Sequence, residues 1–239
     1  EGYEKSDPIY FKVIETDGKR TVRYSMNEDD LNNELLGNPE FVRFLMEQIN
    51  KYVFANKGKI SMLPYFDGKI KTDGGVSGII LGDNFHFTCH TFSFKNTVFV
   101  DYFGDDSKKG IVQDILLDVF ETENFDMGSK DTQGKFGKHI IIRPKILTLD
   151  DAINMVKVIL KEIDMTPIMD VLINKKDECN FDILQPIAES HISFHRANEQ
   201  MVVDAFSCKY FNVKKFLELF SINGDYVEVN RGINYRRWV

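Results

Sequence analysis

Two stretches of the chain alternate polar and apolar residues with a period of two, and they resemble each other. They are IILGDNFHFTCHTFSFKNTVFVDYFGDD (79–106) and PIAESHISFHRANEQMVVDAFSC (186–208). In the first, His86, Thr88 and His90 share one face of a strand while Phe85, Phe87 and Cys89 share the other. In the second, His191, Ser193 and His195 share a face, and Ser190 falls nominally on the opposite one. Each stretch passes through a short polar segment into a second apolar strand that carries an aspartate, Val100-Asp101-Tyr102-Phe103 and Val203-Asp204-Ala205-Phe206. The pattern predicts two copies of one hairpin, an internal repeat. Four of the five histidines lie in the two copies.

The flanks follow a helical period. Pro39–Val53 reads as a helix, and so does Gly110–Phe120, with Ile111, Ile115, Leu116 and Val119 on its apolar face. Thr148 is placed to cap a helix running through Ile163, with Ile153, Val156 and Leu160 facing the core. Asn212 is placed to cap another, with Val213, Phe216, Leu217 and Phe220 inward. Each half therefore reads strand, helix, strand, strand hairpin, helix. The polar stretch Asp126–Lys138 reads as the linker, which divides the chain into 1–128 and 129–239, two repeats of one compact unit.

Composition narrows the function. A chain of 239 residues with 43% hydrophobic residues has enough apolar surface for a sizeable core. A net charge of −7 without a long basic run argues against nucleic acid and anionic membrane as partners. No apolar run reaches the roughly 20 residues that span a bilayer. Three sparse cysteines without framework spacing point to a reducing, cytoplasmic setting. No signal-peptide pattern is read, and residue 1 is Glu, so residues upstream are compatible with this start. The expected state is monomer or homodimer.

The chemistry-bearing residues cluster in the second copy. Glu189-Ser190-His191 puts a hydroxyl nucleophile between an acid and an imidazole, and Cys208 follows the Asp204 strand. Cys89 and Cys179 read as structural. The histidines are poor metal ligands within one copy, because residues i and i+4 of a strand lie about 13 Å apart. The pairs would have to meet across copies, so no metal is assigned. Gly74-Gly75 reads as a turn, since no Lys-Ser/Thr follows at phosphate-loop spacing.

These motifs resemble the S-adenosylmethionine decarboxylase family. The resemblance rests on Glu189-Ser190-His191, on His195 five residues after the serine, on Asp204-Ala205-Phe206-Ser207-Cys208, and on the turn Gly75-Val76-Ser77-Gly78 in the first copy. It implies an α+β fold in which two homologous halves, each an antiparallel sheet with helices on one face, stack as a four-layer α/β/β/α sandwich. The copies differ in complementary ways. Phe85 stands where the second copy has Ser190, Asp105 where it has Cys208, and Ser77 where it has Asp182. In the family the site is assembled across two halves, so the resemblance implies one composite site: Ser190 and Cys208 from one copy, Ser77 and His90 from the other.

The implied chemistry is self-processing. Ser190 attacks the Glu189 carbonyl, Ser77 hydrogen-bonds the oxyanion, and His90 removes the Ser190 α-proton. The chain then splits at the Glu189–Ser190 bond, leaving a pyruvoyl group at the start of 190–239. The pyruvoyl carbonyl is the cofactor; condensed with a substrate amine, it draws electrons as CO₂ leaves, and Cys208 returns the proton. The activity implied is an amino-acid decarboxylase of polyamine synthesis, acting on a small molecule. His195 is a possible supporting residue.

Adenosyl recognition is altered. The stretch Lys69–Asp73 has no aromatic residue, Phe94 lies four beyond His90 where the family has a glutamate, and Arg143 occupies a strand position where the family has another. Glu199 lies four beyond His195, in the other copy. Arg143 is therefore a candidate substrate contact, and arginine or ornithine are alternative substrates, with Asp105 and Asp182 as candidate carboxylates. A non-catalytic paralogue that binds and regulates a partner decarboxylase is the alternative from a different class.

Overall fold

The computed structural model describes residues 12–16, 19–23, 37–66, 75–92, 97–120, 126–127, 139–188, 190–207, 211–222, 227–228 and 233–236. Glu189 and Cys208, and with them part of the expected site, lie outside the described residues, as do 67–74 and 128–138.

The first half contributes Lys12–Thr16 (β1), Lys19–Arg23 (β2), Pro39–Tyr52 (α1), Lys59–Phe66 (β3), Gly75–Gly82 (β4), Phe85–Phe92 (β5), Thr97–Phe103 (β6), Lys109–Phe120 (α2) and Asp126–Met127 (β7). The second contributes His139–Ile142 (β8), Leu149–Glu162 (α3), Leu172–Lys175 (β9), Asn180–Ile187 (β10), Ser190–Ala197 (β11), Gln200–Ser207 (β12), Val213–Leu219 (α4), Val227–Glu228 (β13) and Ile233–Arg236 (β14). The protein is thus a mixed α and β protein with, among the described residues, four α-helices and two six-stranded antiparallel sheets. Their strand orders are β3-β4-β5-β6-β14-β7 and β13-β8-β12-β11-β10-β9, and β1 and β2 form a separate pair. Each large sheet contains a four-strand meander, β3 to β6 or β9 to β12. That is more strand than the single hairpin per copy read from alternation.

Two details differ from the expected organisation. Asp126–Met127, expected as the start of a linker, is a short strand paired with β14. Strand β14 itself lies beside β6, so the C-terminal strand is built into the sheet of the first half.

The helices form where the caps and stripes predict them. Asn38 accepts from the Glu40 N–H ahead of α1, Thr148 from Asp151 ahead of α3, and Asn212 from Lys215 ahead of α4. The face of α2 is turned relative to expectation. Val112, Ile115, Leu116 and Val119 are buried, whereas Ile111 is 36% exposed. Positions 112, 115, 116 and 119 follow the i, i+3, i+4, i+7 stripe, and Ile111 sits at its margin.

Apolar residues gather on the helix side of each sheet. Phe41, Val42, Leu45, Met46 and Ile49 of α1 pack with Val76, Ile80, Phe87 and Cys89. Val156 and Ile159 of α3 and Phe216 of α4 pack with Ile183, Ile192 and Phe194. Each such buried side chain contributes about 1.5–3 kcal/mol relative to exposure. Gly78 lets helix α1 approach the sheet closely: a Cβ there would lie 2.8 Å from Met46 Cγ and 3.2 Å from Val42 Cγ1. A smaller apolar group, Ile79, Leu81 and Leu184, joins β4 to β10 across the two sheets.

Candidate active site

The two polar strand faces meet. Because β5 alternates, Phe87 and Cys89 enter the core beneath the helices, which turns His86, Thr88 and His90 the other way. Strand β11 divides likewise, with Ile192 and Phe194 in its own core and His191, Ser193 and His195 opposite. Across the gap, His86 Nδ1 lies 2.8 Å from His195 Nε2, and Thr88 Oγ1 lies 3.4 Å from His191 Nδ1. Numbers rise along β5 as they fall along β11. The His90 end of β5 therefore lies over the Ser190 end of β11.

Ser77 and His90 are register partners on β4 and β5, and a hydrogen bond joins Ser77 Oγ to His90 Nδ1. Both are buried. Burial, and secondarily the charge of His191, lower the His90 pKa to about 4. The imidazole is therefore neutral at physiological pH and carries a lone pair on one nitrogen.

Ser190 opens β11 opposite Ile187, the last residue of β10. In the first half the link between the equivalent strands is Asp83-Asn84, between Gly82 and Phe85, with Asn84 at φ 60. There Phe85 stacks on Phe54 with ring centroids 4.0 Å apart. The aromatic ring fills the position that holds serine in the other half.

Asp182 and His195 repeat the Ser77–His90 pairing one half later. They are register partners on β10 and β11, and Asp182 Oδ1 lies 2.6 Å from His195 Nδ1. Asp182 also accepts from the Asn84 backbone N–H at 3.0 Å and from Asn174 Nδ2 at 3.3 Å. Its carboxylate thus bonds to groups from both halves. Asp105 is exposed; it accepts from the Ser107 N–H, which holds its carboxyl below the usual range. It lines a cavity of about 660 Å³ with Phe54, Phe85, Tyr102, Phe103 and Asp83, at the first half's hairpin rather than the second's. Arg143 is exposed and lies just past the end of β8.

The structure adds two residues to which the sequence reading gave no role. Asp101 and Asp204, opposite Thr88 and Ser193 on neighbouring strands, are buried between the sheets. His86 Nε2 lies 2.7 Å from Asp101 Oδ2, and His191 Nε2 lies 3.0 Å from the same oxygen and 3.5 Å from Asp204 Oδ1. Burial lowers the His86 pKa against the pull of Asp101. Burial opposes the charge of His191 as well, but its hydrogen bonds to Asp101 and Asp204 outweigh that and raise its pKa to about 9. The signal was present in the repeat, since each copy keeps its histidine and its aspartate at matching positions. Cys89 is buried, which pushes its thiol up, while Cys179 is exposed.

The chain matches no protein-family model, no curated protein and no solved structure. No helix among the described residues is long and apolar enough to cross a membrane.

Proposed function

We propose that the protein is a self-processing, pyruvoyl-dependent amino-acid decarboxylase, similar to S-adenosylmethionine decarboxylase. The observation that carries this reading is the Ser77–His90 hydrogen bond, at the end of β5 that lies over the start of β11. A hydroxyl and a neutral imidazole meet there, on the sheet face turned towards β11.

The hydrogen bonding suggests how the pair works. If His90 carries its proton on Nδ1 and donates it to Ser77 Oγ, the Ser77 hydroxyl is free to point its own hydrogen at an oxyanion. The lone pair is then on His90 Nε2, where it can take a proton. Ser190 Oγ adds to the Glu189 carbonyl, and collapse of the oxyanion breaks the C–N bond to give an ester. Removal of the Ser190 α-proton by His90 expels the Glu189 carboxylate and leaves a carbon–carbon double bond at residue 190. Tautomerisation and hydrolysis by water release ammonia and give the pyruvoyl group. That group supplies an electron sink for loss of CO₂ from an amino acid. Cys208 is the proposed proton donor to the substrate carbon.

In this reading the two sheets and their helices form a four-layer α/β/β/α sandwich of homologous halves, 1–128 and 129–239. The enzyme serves polyamine synthesis in the cytoplasm. The altered adenosyl contacts favour an amino acid other than S-adenosylmethionine as an equal candidate substrate, arginine and ornithine among them. The purified chain should separate into two fragments on a denaturing gel and release CO₂ from one of these amino acids. A single intact chain would remove the reading.

A further inference from the structure

The aspartate-bearing strands of the repeat bring four side chains to one point. His86 on β5, Asp101 on β6, His191 on β11 and Asp204 on β12 are all buried, and one ligand atom from each lies within 4.8 Å of the others. Each half supplies one imidazole and one carboxylate. We propose that His86 Nε2, His191 Nε2, Asp101 and Asp204 bind a single divalent transition-metal ion, Zn²⁺ in preference to Mg²⁺ or Ca²⁺, that joins the two halves.

The spacing suits a four-coordinate ion. Ligands about 2.0–2.1 Å from zinc stand roughly 3.3 Å apart in a tetrahedron. Asp101 Oδ2 lies 2.7 and 3.0 Å from the two histidine nitrogens, Asp204 Oδ1 lies 3.5 Å from that of His191, and Asp204 Oδ2 lies 4.0 Å from that of His86, on either side of that value. Two imidazoles select against Mg²⁺ and Ca²⁺, which take oxygen ligands. Binding the ion displaces the proton that His191 otherwise carries, and with both imidazoles then neutral, two carboxylates balance one divalent charge.

The outer hydrogen bonds point the same way. A metal-binding histidine usually donates its second ring N–H to an acceptor that fixes the tautomer. His86 Nδ1 lies 2.8 Å from His195 Nε2, and His195 Nδ1 lies 2.6 Å from Asp182 Oδ1. His191 Nδ1 faces Thr88 Oγ1 at 3.4 Å. Both candidate ligands thus have an acceptor on the nitrogen turned away from the cluster.

Hydrogen counting along the chain of contacts is compatible with a cation. Asp182, His195, His86 and Asp101 make three successive contacts, each of which needs one hydrogen between its heavy atoms. Two neutral imidazoles carry two of these hydrogens, and either one further proton or a cation on His86 Nε2 satisfies the third contact. The repeat adds to this: the copies have diverged at Ser190/Phe85 and Ser77/Asp182, yet both retain the histidine and the aspartate of this cluster.

The assignment is independent of the self-processing reading, since an uncleaved chain can hold the ion and a cleaved one can lack it. The site is enclosed, so the ion enters as the chain folds. Full-length protein should be unfolded with a chelator, desalted, and refolded with Zn²⁺ or Co²⁺. Elemental analysis should find a single ion per chain, and the Co²⁺ form should show the intense visible bands of four-coordinate cobalt. The melting temperature should rise with Zn²⁺. His191→Gln and Asp204→Asn should lose the ion, while Ser77→Ala, outside the cluster, should keep it. Wild-type protein that refolds fully, by circular dichroism, in excess Zn²⁺ yet carries no ion would overturn the proposal. So would cobalt bands that persist unchanged in both ligand variants.

Discussion

Ser77 lies directly opposite His90 on the neighbouring strand, and its hydroxyl is hydrogen-bonded to His90 Nδ1. One half later, the same two register positions hold Asp182 and His195. A neutral hydroxyl beside imidazole and a carboxylate beside imidazole have different chemistry. The first leaves the ring neutral with a lone pair to use; the second anchors it. The proposed roles follow that division, with processing assigned to the first pair and cohesion to the second.

The Ser77 hydroxyl is proposed to stabilise the oxyanion formed when Ser190 attacks. Removing one such donor typically slows a reaction about 10²–10³-fold. Ser77→Ala should therefore slow cleavage of refolded precursor by about that factor, read as loss of the intact band over time. An unchanged rate in a folded variant would remove Ser77 from the mechanism.

In the proposed mechanism His90 sets the acid limit of processing. Its pKa is lowered to about 4, so cleavage should hold level from neutral pH down to about 5 and decline through 4 as the ring protonates. A decline centred on 6.5, the ordinary histidine value, would contradict this. The same shift acts on stability. Below 6.5 the unfolded chain binds a proton that the folded state refuses until about 4. Stability therefore falls as pH drops from 6.5 towards 4, by up to about 3 kcal/mol. His90→Gln should flatten that part of the curve in denaturant titrations at several pH values.

Asp182 ties the halves together through His195, Asn84 and Asn174. Breaking a buried pair by removing one partner costs about 3–5 kcal/mol. Asp182→Ala should lose about that much in guanidinium unfolding, whereas removal of the exposed Asp105 carboxylate should cost far less. Equal losses would refute the strut assigned to Asp182.

Gly78 lets α1 rest on the backbone of β4. Gly78→Val would drive a side chain into Met46 and Val42, and overpacking of this kind costs about 1–3 kcal/mol. Thermal unfolding would read the change. No loss would mean that α1 lifts freely from the sheet.

The sequence made local structure legible wherever period and cap agreed. Asn38, Thr148 and Asn212 each announce a helix by a side chain that answers a backbone N–H, an interaction confined to a few residues. The Ser77–His90 and Asp182–His195 equivalence was legible too, because repeat register fixes it. What failed was what depends on distant chain. Nothing near Ile233 announces that β14 will pair with β6 more than a hundred residues away. The meeting of His86 with His195 depends on how two sheets face, which strand alternation does not encode. Asp101 and Asp204 were visible as repeated letters, and their chemistry emerged only when both were seen to approach His191.

The most direct test of the central claim is the intact mass of the purified full-length protein under denaturing conditions. The account predicts two fragments, 1–189 with an ordinary C-terminus and 190–239 beginning in a pyruvoyl group that reacts with a carbonyl reagent; Ser190→Ala should give one uncut chain. A wild-type chain of full mass that ignores the carbonyl reagent, or cleavage that persists in Ser190→Ala, would contradict it.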